Sequence, residues 1–308
     1  MSQSKYTQFV TKPLNKRINT LLGIFKGNIS FKQKGTLISY YIKRLLKQPV
    51  SESEKNIYYL YSFLVDSNAQ LIEEYKDEYK VKVFIGSKAN EIYLRKFPSS
   101  DQWVYSQVFI YRQYQPVIDM MLKEYTKDSQ LTIIDAGANV GMSTLYFKSI
   151  FPNAKIISIE PESGNFQRLK KNIAVNDFAD IISIQSALWY REAYLAVIES
   201  GDKREWAFSV EETEDKSLLK GYDVAYYIKQ LNTDKVCLLK IDIEGAERYL
   251  FDNREISAKL LSSCEYLAIE IHDNGSLRKK IYSFLEESGF EYIDSDELTI
   301  AKKIHYEQ

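Results

Sequence analysis

Histidine and cysteine are scarce in this chain of 308 residues, which contains only two of each. The histidines are His272 and His305, so a zinc site with three histidine ligands is impossible and one with two is disfavoured. We expect no function for His305, which lies in the terminal tail. Cys237 and Cys264 form no CxxC pair and give no basis for a disulfide framework. We therefore expect two small buried hydrophobic residues in a reducing compartment.

Long apolar runs are also missing. No stretch of 18 apolar residues occurs, so the sequence predicts no transmembrane span. The apolar stretch near Leu21 is short and interrupted by polar residues, and we expect no signal peptide. With 45% hydrophobic and 27% charged residues, the composition suits a folded cytoplasmic protein with a sizeable core.

Acidic residues are absent from residues 1–50, which carry ten lysines and arginines. The total charge of −1 therefore combines this basic arm with a body of net charge −11. Two helical apolar stripes lie in the arm, at Ile18–Phe25 and Leu37–Leu45. The arm fits a peripheral helix at the inner face of a membrane, a helical cap on the rest of the protein, or a contact with an anionic glycan. We expect no nucleic-acid partner, because the acidic body opposes phosphate and no recognition motif is present.

Residues 1–100 predict a first domain, a basic and mostly helical extension. Ser51 or Ser53 is placed to cap a helix that runs to about Tyr75. A small hairpin follows. Its two strands are expected at residues 81–85 and 91–95.

Residues 101–308 predict a second domain in which apolar strands alternate with helices. This pattern implies an α/β protein with a parallel sheet covered on both faces. Two closing strands predict an antiparallel edge, and the order of elements is that of a Rossmann-like open sheet with its ligand at the carboxyl ends of the strands. The expected strands are residues 131–135, 155–160, 181–186, 236–241, 266–271, 290–293 and 298–304.

The most informative motif is the turn that follows the first of these strands, Asp135-Ala-Gly137-Ala-Asn139-Val-Gly141. Its glycines let the backbone adopt positive φ and approach a ligand. The spacing matches neither GxGxxG nor a phosphate-binding GxxxxGK[ST] loop. Glu160 ends the second strand, 19 residues after Gly141, where an acid can bind two ribose hydroxyls. The motif therefore favours a nucleoside cofactor without pyrophosphate over a plain strand-to-helix loop.

Four segments together resemble the FkbM family of S-adenosylmethionine-dependent methyltransferases. The block Lys-Ile-Asp-Ile-Glu-Gly-Ala-Glu is the most specific of them. The resemblance covers about residues 90–308 and implies a seven-stranded class I methyltransferase sheet. It also implies methyl transfer to oxygen, mostly hydroxyls of sugars, glycolipids or polyketides, with S-adenosylhomocysteine as the product. The four segments are Asp135–Gly141, Ile159–Pro161, Lys240–Glu247 and Ile269–His272.

The resemblance implies roles for single residues as well. Glu160 would bind the ribose and Ser186 would lie near the adenine. Asp242 would face the methionine amino group or the acceptor. The residues expected at the methionine end of the cofactor are Asp135, Gly137, Asn139 and Gly141.

A sugar hydroxyl is weakly acidic, so the reaction needs a base or a metal to remove its proton. Asp242, Glu244 and His272 stand at strand ends and are the catalytic candidates. Histidine is the most natural base near neutral pH, although His272 can instead be a purely structural strand-end residue. Glu244 alternatively caps the helix that begins near Ala246. Lys240 is expected to be structural or to form an ion pair.

The segment between the third and fourth strands, Ala187–Asp234, is too long for a simple crossover. Its aromatic side chains suit a sugar or an apolar acceptor, and equally suit packing of a small hairpin against the sheet. They are Trp189, Tyr190, Tyr194, Trp206 and Phe208.

The sequence thus predicts an O-methyltransferase that acts on a sugar hydroxyl of a polysaccharide or glycolipid. One alternative is a small-molecule, polyketide-like hydroxyl acceptor bound in a closed apolar pocket, and another is a non-catalytic binding module. Asp242, Glu244 and Glu270 offer oxygen ligands for a divalent metal. No spacing demands a metal, and none is predicted.

Overall fold

The computed structural model describes residues 29–86, 88–199, 208–272 and 275–304. The expected helical stripe at Ile18–Phe25, together with Trp206 and His305, lies outside the described residues. The chain divides into two compact units, Met1–Phe97 and Pro98–Gln308. Across the described ranges, none of the helices combines the length and apolarity needed to cross a bilayer.

The first unit begins with two helices, α1 (Phe31–Leu45) and α2 (Glu52–Asp66). Ser30 and Ser51 cap them, and each forms a capping box with the third residue of its helix. At each helix start, two backbone N–H groups that have no partner within the helix therefore receive a side-chain acceptor. This explains why the helices begin directly after Ser30 and Ser51. Ser51, rather than Ser53, is therefore the cap of the second helix.

The prediction that this second helix reaches Tyr75 is wrong, because the helix ends at Asp66. Asn68 adopts a left-handed φ of 52°. The N–H groups of Asn68 and Ala69 then bond back to carbonyls of the last helical turn, which ends the helix. The chain continues as an extra strand beside the expected hairpin. The antiparallel sheet has the order β1 (Gln70–Glu74), β2 (Glu78–Ile85) and β3 (Lys88–Arg95).

Apolar side chains are exposed along one side of α1. Phe31 is 93% exposed and Leu45 is 76% exposed, and Ile42 between them is also exposed. Their spacing of eleven and fourteen residues from Phe31 places them on one helical face. The helix itself carries basic residues and no acid, as a peripheral membrane helix does, although Lys43 pairs with Glu54 of α2. Membrane contact through this arm stays a prediction.

The second unit contains the seven-stranded sheet that the sequence predicts, in the order β13-β14-β12-β11-β4-β5-β6. Five strands are parallel, and β14 runs antiparallel to both β12 and β13, which confirms the antiparallel edge. All six residues of β11 are buried, so both faces of the sheet are covered. The strands of this unit are β4 (Thr132–Ala136), β5 (Lys155–Ile159), β6 (Ile181–Ile184), β7 (Ala187–Leu188), β8 (Ala193–Glu199), β9 (Phe208–Glu212), β10 (Leu219–Tyr222), β11 (Val236–Ile241), β12 (Cys264–Glu270), β13 (Phe290–Ser295) and β14 (Leu298–Lys303).

Helices alternate with these strands as expected. The single helix predicted from Ala246 is instead two helices, because the chain turns after Leu250 and restarts at Asn253, whose side chain caps the second one. A π-helical turn, Ser106–Ile110, follows the first helix of the unit. The helices are α3 (Asp101–Tyr105), α4 (Gln115–Met121), α5 (Met142–Ile150), α6 (Ser163–Ala174), α7 (Val224–Gln230), α8 (Glu247–Leu250), α9 (Arg254–Ser262) and α10 (Ser276–Glu287).

The long insert forms its own four-stranded sheet, in the order β7-β10-β8-β9. Trp189 is 1% exposed and packs with Leu195 and Val210. Its indole N–H donates to Glu212 at 2.7 Å, so the buried polar atom is satisfied. For Trp189, packing within the insert is therefore the interpretation that the structure supports.

Candidate active site

The turn after β4 lies where the sheet reverses its direction of growth. The chain continues from β4 to β5 on one side, whereas β11 and β12 lie on the other, and ligands bind in the crevice at such a point. The N–H groups of Gly137 and Ala138 donate to the Ile159 carbonyl at 3.0 and 2.9 Å. The N–H of Asp242 donates to the Ala136 carbonyl at 3.1 Å. The turn is thus held between the ends of β5 and β11.

A cleft opens at this edge of the sheet. Gly137, Asn139, Glu160 and Asp242, four of the seven residues expected to bind the cofactor, line it, and so does Glu244. Asn139 and Glu244 have left-handed φ values of 50° and 51°, a strained backbone that is concentrated at functional sites. The other lining residues are Ile159, Pro161, Asn165, Ala187, Leu188, Phe208, Val210 and Ile243.

The other three residues expected at the cofactor are not among the described residues that line the cleft, and their roles stay predictions. Asp135 is fully buried and accepts hydrogen bonds from Ser143 and Thr144, both at 2.7 Å. Gly141, with φ of 89°, begins α5 and is pressed against Leu169 of α6. Ser186 is buried beside the cleft residue Ala187 and donates to the Lys220 carbonyl in β10 at 2.6 Å.

Lys240 joins the ends of β4 and β11 from within the protein. It is 1% exposed, and its ammonium donates to the Gly137 carbonyl at 2.7 Å. It lies 3.3 Å from Asp135 and 3.6 Å from Asp242. Burial opposes its charge, but Tyr114 and the two aspartates outweigh burial and raise the pKa of Lys240. The expected ion-pair role of Lys240 is therefore what the geometry shows.

Glu160 presents a buried carboxylate to the cleft. One of its oxygens accepts the Asn139 N–H at 2.8 Å and the other accepts the Glu162 N–H at 2.9 Å. Burial raises the pKa of Glu160 to about 7, although these two hydrogen bonds oppose the shift. Each oxygen keeps a lone pair that can accept a hydrogen bond from a hydroxyl. The group therefore suits the ribose role that the family resemblance implies.

A cluster of acids surrounds His272 next to the cleft. The imidazole Nδ1 lies 3.0 Å from Glu247, and Nε2 lies 3.4 Å from Glu270 and 3.5 Å from Glu244. The structure thus brings His272 and Glu244, two of the predicted catalytic residues, together, while Asp242 and Glu244 share the cleft wall. α8 has Ala246 as its N-cap and no side-chain cap, so Glu244 does not have the capping role considered as its alternative.

The ionisable groups in this cluster shift one another's pKa values. Burial and then Asp242 raise the pKa of Glu244, and the same two causes raise the pKa of Glu270. Burial opposes a charge on His272, but the hydrogen bonds to Glu247 and Glu270 prevail and raise the pKa of the imidazole. These contacts favour the protonated form of His272, whereas the raised pKa of Glu244 brings its carboxyl group closer to neutral pH.

Some residues of the site have no role in the sequence predictions. Glu247 was part of the family block, but only the fold shows that its buried carboxylate reaches His272, 25 residues later in the chain. Leu188 and Phe208 line the cleft from the insert. The aromatic content of the insert was the one signal that pointed to Phe208. Nothing in the local pattern singled out Asn165.

The comparisons with known proteins agree with this geometry. The family model described as the methyltransferase FkbM domain matches residues 135–292, about half of the chain. This chain belongs to the FkbM methyltransferase family. The cleft offers the family's cofactor a glycine turn, a buried carboxylate and apolar walls, so its residues fit S-adenosylmethionine. The protein is an S-adenosylmethionine-dependent methyltransferase, and the expectation of a Rossmann-like class I fold is confirmed.

Two relatives of this FkbM methyltransferase are similar over much of its length. Methyltransferase 1 of Beauveria bassiana (strain ARSEF 2860) is 25% identical over 210 residues, which cover 61% of this chain and 80% of that protein. Methyltransferase sdnD of Sordaria araneosa is 24% identical over 191 residues, which cover 52% of this chain and 73% of that protein. Among solved structures, the SAM-dependent methyltransferase from Agrobacterium tumefaciens has a TM-score of 0.44 at 9% identity and covers 76% of each chain.

The carboxylate of Glu160 should make cofactor binding depend on pH. A group with a pKa of about 7 is mostly protonated at pH 6, and a protonated carboxyl is a poorer acceptor for two ribose hydroxyls. We expect the affinity for S-adenosylhomocysteine, measured by calorimetry, to fall about tenfold between pH 8 and pH 6. Glu160→Gln should lower the affinity at pH 8 by about 10- to 100-fold, since hydrogen bonds to charged groups contribute about 1.5–3 kcal/mol.

The Glu160→Gln variant should also lose the pH dependence. Glu244→Gln, which removes the other cleft carboxylate of raised pKa, is the matched control and should keep the slope. If the affinity for S-adenosylhomocysteine still depends on pH in Glu160→Gln but not in Glu244→Gln, the titrating group is Glu244 and the prediction for Glu160 is wrong.

Proposed function

We propose that this FkbM methyltransferase transfers a methyl group to a hydroxyl oxygen of a sugar in a polysaccharide or glycolipid. The observation that carries the proposal is the pair of carboxylates, Asp242 and Glu244, that line the cleft with His272 and Glu270 directly behind them. Carboxylates accept hydrogen bonds from hydroxyl groups, which a sugar carries on neighbouring carbons. An acid-lined cleft end is therefore suited to a hydroxyl-rich acceptor.

The cofactor end of the cleft belongs to other residues. Gly137, Asn139 and Glu160 would hold S-adenosylmethionine, which supplies an activated methyl group on a sulfonium when bound. The protein then has two tasks, to align the acceptor oxygen with the methyl carbon and to remove the hydroxyl proton. The acid cluster provides groups for both.

Glu244 is the base in this proposal. Its raised pKa brings a carboxylate closer to neutral pH, where proton transfer is most effective. His272 is held in its protonated form by the surrounding acids and so orients Glu244 rather than accepting the proton. The acceptor oxygen attacks the methyl carbon, the C–O bond forms as the C–S bond breaks, and the electron pair stays on sulfur. The hydroxyl proton passes to Glu244.

A small-molecule hydroxyl is the rival acceptor. It would require the aromatic insert to enclose an apolar pocket, yet Trp189 is buried within the insert instead. The apolar lining from Leu188, Phe208 and Val210 is compatible with the adenine ring as well as with an acceptor. The insert therefore gives the rival no dedicated support.

The test is S-adenosylhomocysteine formation with a panel of p-nitrophenyl glycosides against a panel of phenols. We expect turnover with a glycoside that carries free hydroxyls. Glu244→Gln should lower kcat by about 10²- to 10⁴-fold, as loss of a general base does, while binding of S-adenosylhomocysteine stays within a few-fold of the parent. Glu255→Gln, on the exposed side of α9, is the control and should not change the rate.

Two outcomes would contradict the proposal. Turnover with phenols but not with any glycoside would favour the small-molecule acceptor. A Glu244→Gln variant that methylates a glycoside at the parental rate would exclude Glu244 as the base.

A further inference from the structure

We propose that Asp242, Glu270 and His272 form a binding site for one divalent cation of the Mg²⁺ or Mn²⁺ class beside the cleft. One ligand atom of each residue lies within 4.8 Å of those of the other two. Asp242 follows β11 and Glu270 ends β12, and these neighbouring parallel strands bring both carboxylates to the same sheet edge. Carboxylate oxygens are the ligands that Mg²⁺ and Mn²⁺ prefer, and of the two Mn²⁺ is the one that more readily takes an imidazole nitrogen as well.

Acids outnumber bases around this position. Lys240 lies 3.6 Å from Asp242, but it is also 3.3 Å from the buried Asp135 and so serves both carboxylates. His272 is shared among Glu244, Glu247 and Glu270. In the described part of the second unit, two basic side chains thus face five carboxylates, and a bound divalent cation would neutralise the excess. The five are Asp135, Asp242, Glu244, Glu247 and Glu270.

Glu247 gives a second indication of a ligand. Its side chain is fully buried, and one carboxylate oxygen receives the His272 Nδ1–H at 3.0 Å and the Ile243 N–H at 3.2 Å. The other oxygen of this carboxylate is buried and has no hydrogen-bond partner among the described residues. With Glu247 on Nδ1, Nε2 faces Glu244 and Glu270, and a cation bound at Nε2 would displace the proton that these acids otherwise hold there. Histidines that bind metals are commonly held by a carboxylate on the far nitrogen in this way.

The site lies where the reaction would use it. Asp242 belongs both to the ligand set and to the cleft wall, so a cation at this place has the acceptor side of the cleft in reach. A cation bound there would take hydroxyl oxygens of a sugar as further ligands and make the bound hydroxyl more acidic. This use of the cation rests on the proposed function. The existence of the site does not.

Binding of Mn²⁺ alone tests the site. The full chain is treated with a chelator, desalted and titrated with Mn²⁺, and free Mn²⁺ is measured by electron paramagnetic resonance, without cofactor or acceptor. We expect one saturable site per chain. Glu270→Gln and His272→Gln should each weaken it by more than about tenfold, and Glu247→Gln by about 10- to 100-fold, as loss of an outer carboxylate does.

The controls separate loss of the site from loss of the fold. Glu291→Gln removes an exposed carboxylate on β13 and should bind Mn²⁺ like the parent. Glu270 does not line the cleft, so Glu270→Gln should keep its affinity for S-adenosylhomocysteine, which reports a folded cleft. Absence of saturable binding up to about 1 mM Mn²⁺, or binding that Glu270→Gln and His272→Gln leave unchanged, would overturn the cation site.

The same data distinguish the two proposals. Methylation of glycosides by a protein that binds no Mn²⁺ would overturn only the cation site. A saturable Mn²⁺ site that Glu270→Gln weakens, in a protein that methylates no glycoside, would support the cation site and count against the proposed acceptor.

Discussion

Gly137→Ala should abolish S-adenosylhomocysteine binding and destabilise the protein by about 3 kcal/mol or more. A Cβ atom at this position would lie 1.7 Å from the carbonyl oxygen of Asp242, a backbone atom at the end of β11. The residue also has a φ of 76°, which L residues with side chains rarely adopt. The turn and β11 would have to separate, and the cleft lies between them. Calorimetry with S-adenosylhomocysteine and urea unfolding would measure both effects.

Gly289→Ala is a matched control for this variant. Gly289 has nearly the same φ, 75°, but nothing lies within 4 Å of the Cβ that alanine would add. Gly289→Ala therefore introduces the backbone strain but no steric clash. We expect the free energy of unfolding to fall by about 1 kcal/mol and cofactor binding to stay unchanged. Equal effects of the two substitutions would show that φ, and not the approach of β11, makes Gly137 necessary.

Lys240→Met should lower the free energy of unfolding by about 3–5 kcal/mol, the usual cost of removing one partner from a buried ion pair. Asp135 is fully buried, and the substitution would leave its carboxylate without the cation that faces it at 3.3 Å. The carbonyl of Gly137 would also lose its hydrogen bond from the ammonium. Urea unfolding followed by circular dichroism would measure the loss.

Two further variants show whether the buried charge is the cause. Lys259→Met breaks an exposed ion pair with Asp223 and should cost no more than about 1 kcal/mol. Adding Asp135→Asn to Lys240→Met removes the unpaired charge and should recover part of the stability. If the Lys240 and Lys259 variants lost the same small amount, the ion pair inside the sheet would not be stabilising.

The elements of the second unit could be predicted from the sequence, because apolar strands and helical stripes are local patterns. The strand expected at residues 236–241 is β11 with the same bounds. The prediction of α2 was wrong after Asp66, because Asn68 adopts a left-handed φ and ends the helix. No Gly or Pro in the sequence marks this end. The break between α8 and α9 was not predicted either, since the helical pattern of the sequence continues across the break.

The orientation of side chains at the site was harder to predict from the sequence than the elements were. The family resemblance places Asp135 at the methionine end of the cofactor, and the structure adds that its cross-strand neighbour is Lys240 and that the pair is buried inside the sheet. The resemblance places Ser186 near the adenine, and the structure adds that its hydroxyl donates to β10. In both cases the partner is distant in the chain, and only strand pairing brings it close.

By itself, the sequence determined the α/β class, the family and the position of the cofactor turn, because each depends on spacings within a few residues. The tertiary structure decided which acids face the cleft and which are buried behind it. It also surrounded His272 with Glu244, Glu247 and Glu270, which come from different segments at the ends of β11 and β12. The charge state of a histidine depends on such neighbours. The hydrogen bonds to Glu247 and Glu270 favour the protonated imidazole, so the proposed function assigns the role of base to Glu244, and this assignment stays a prediction.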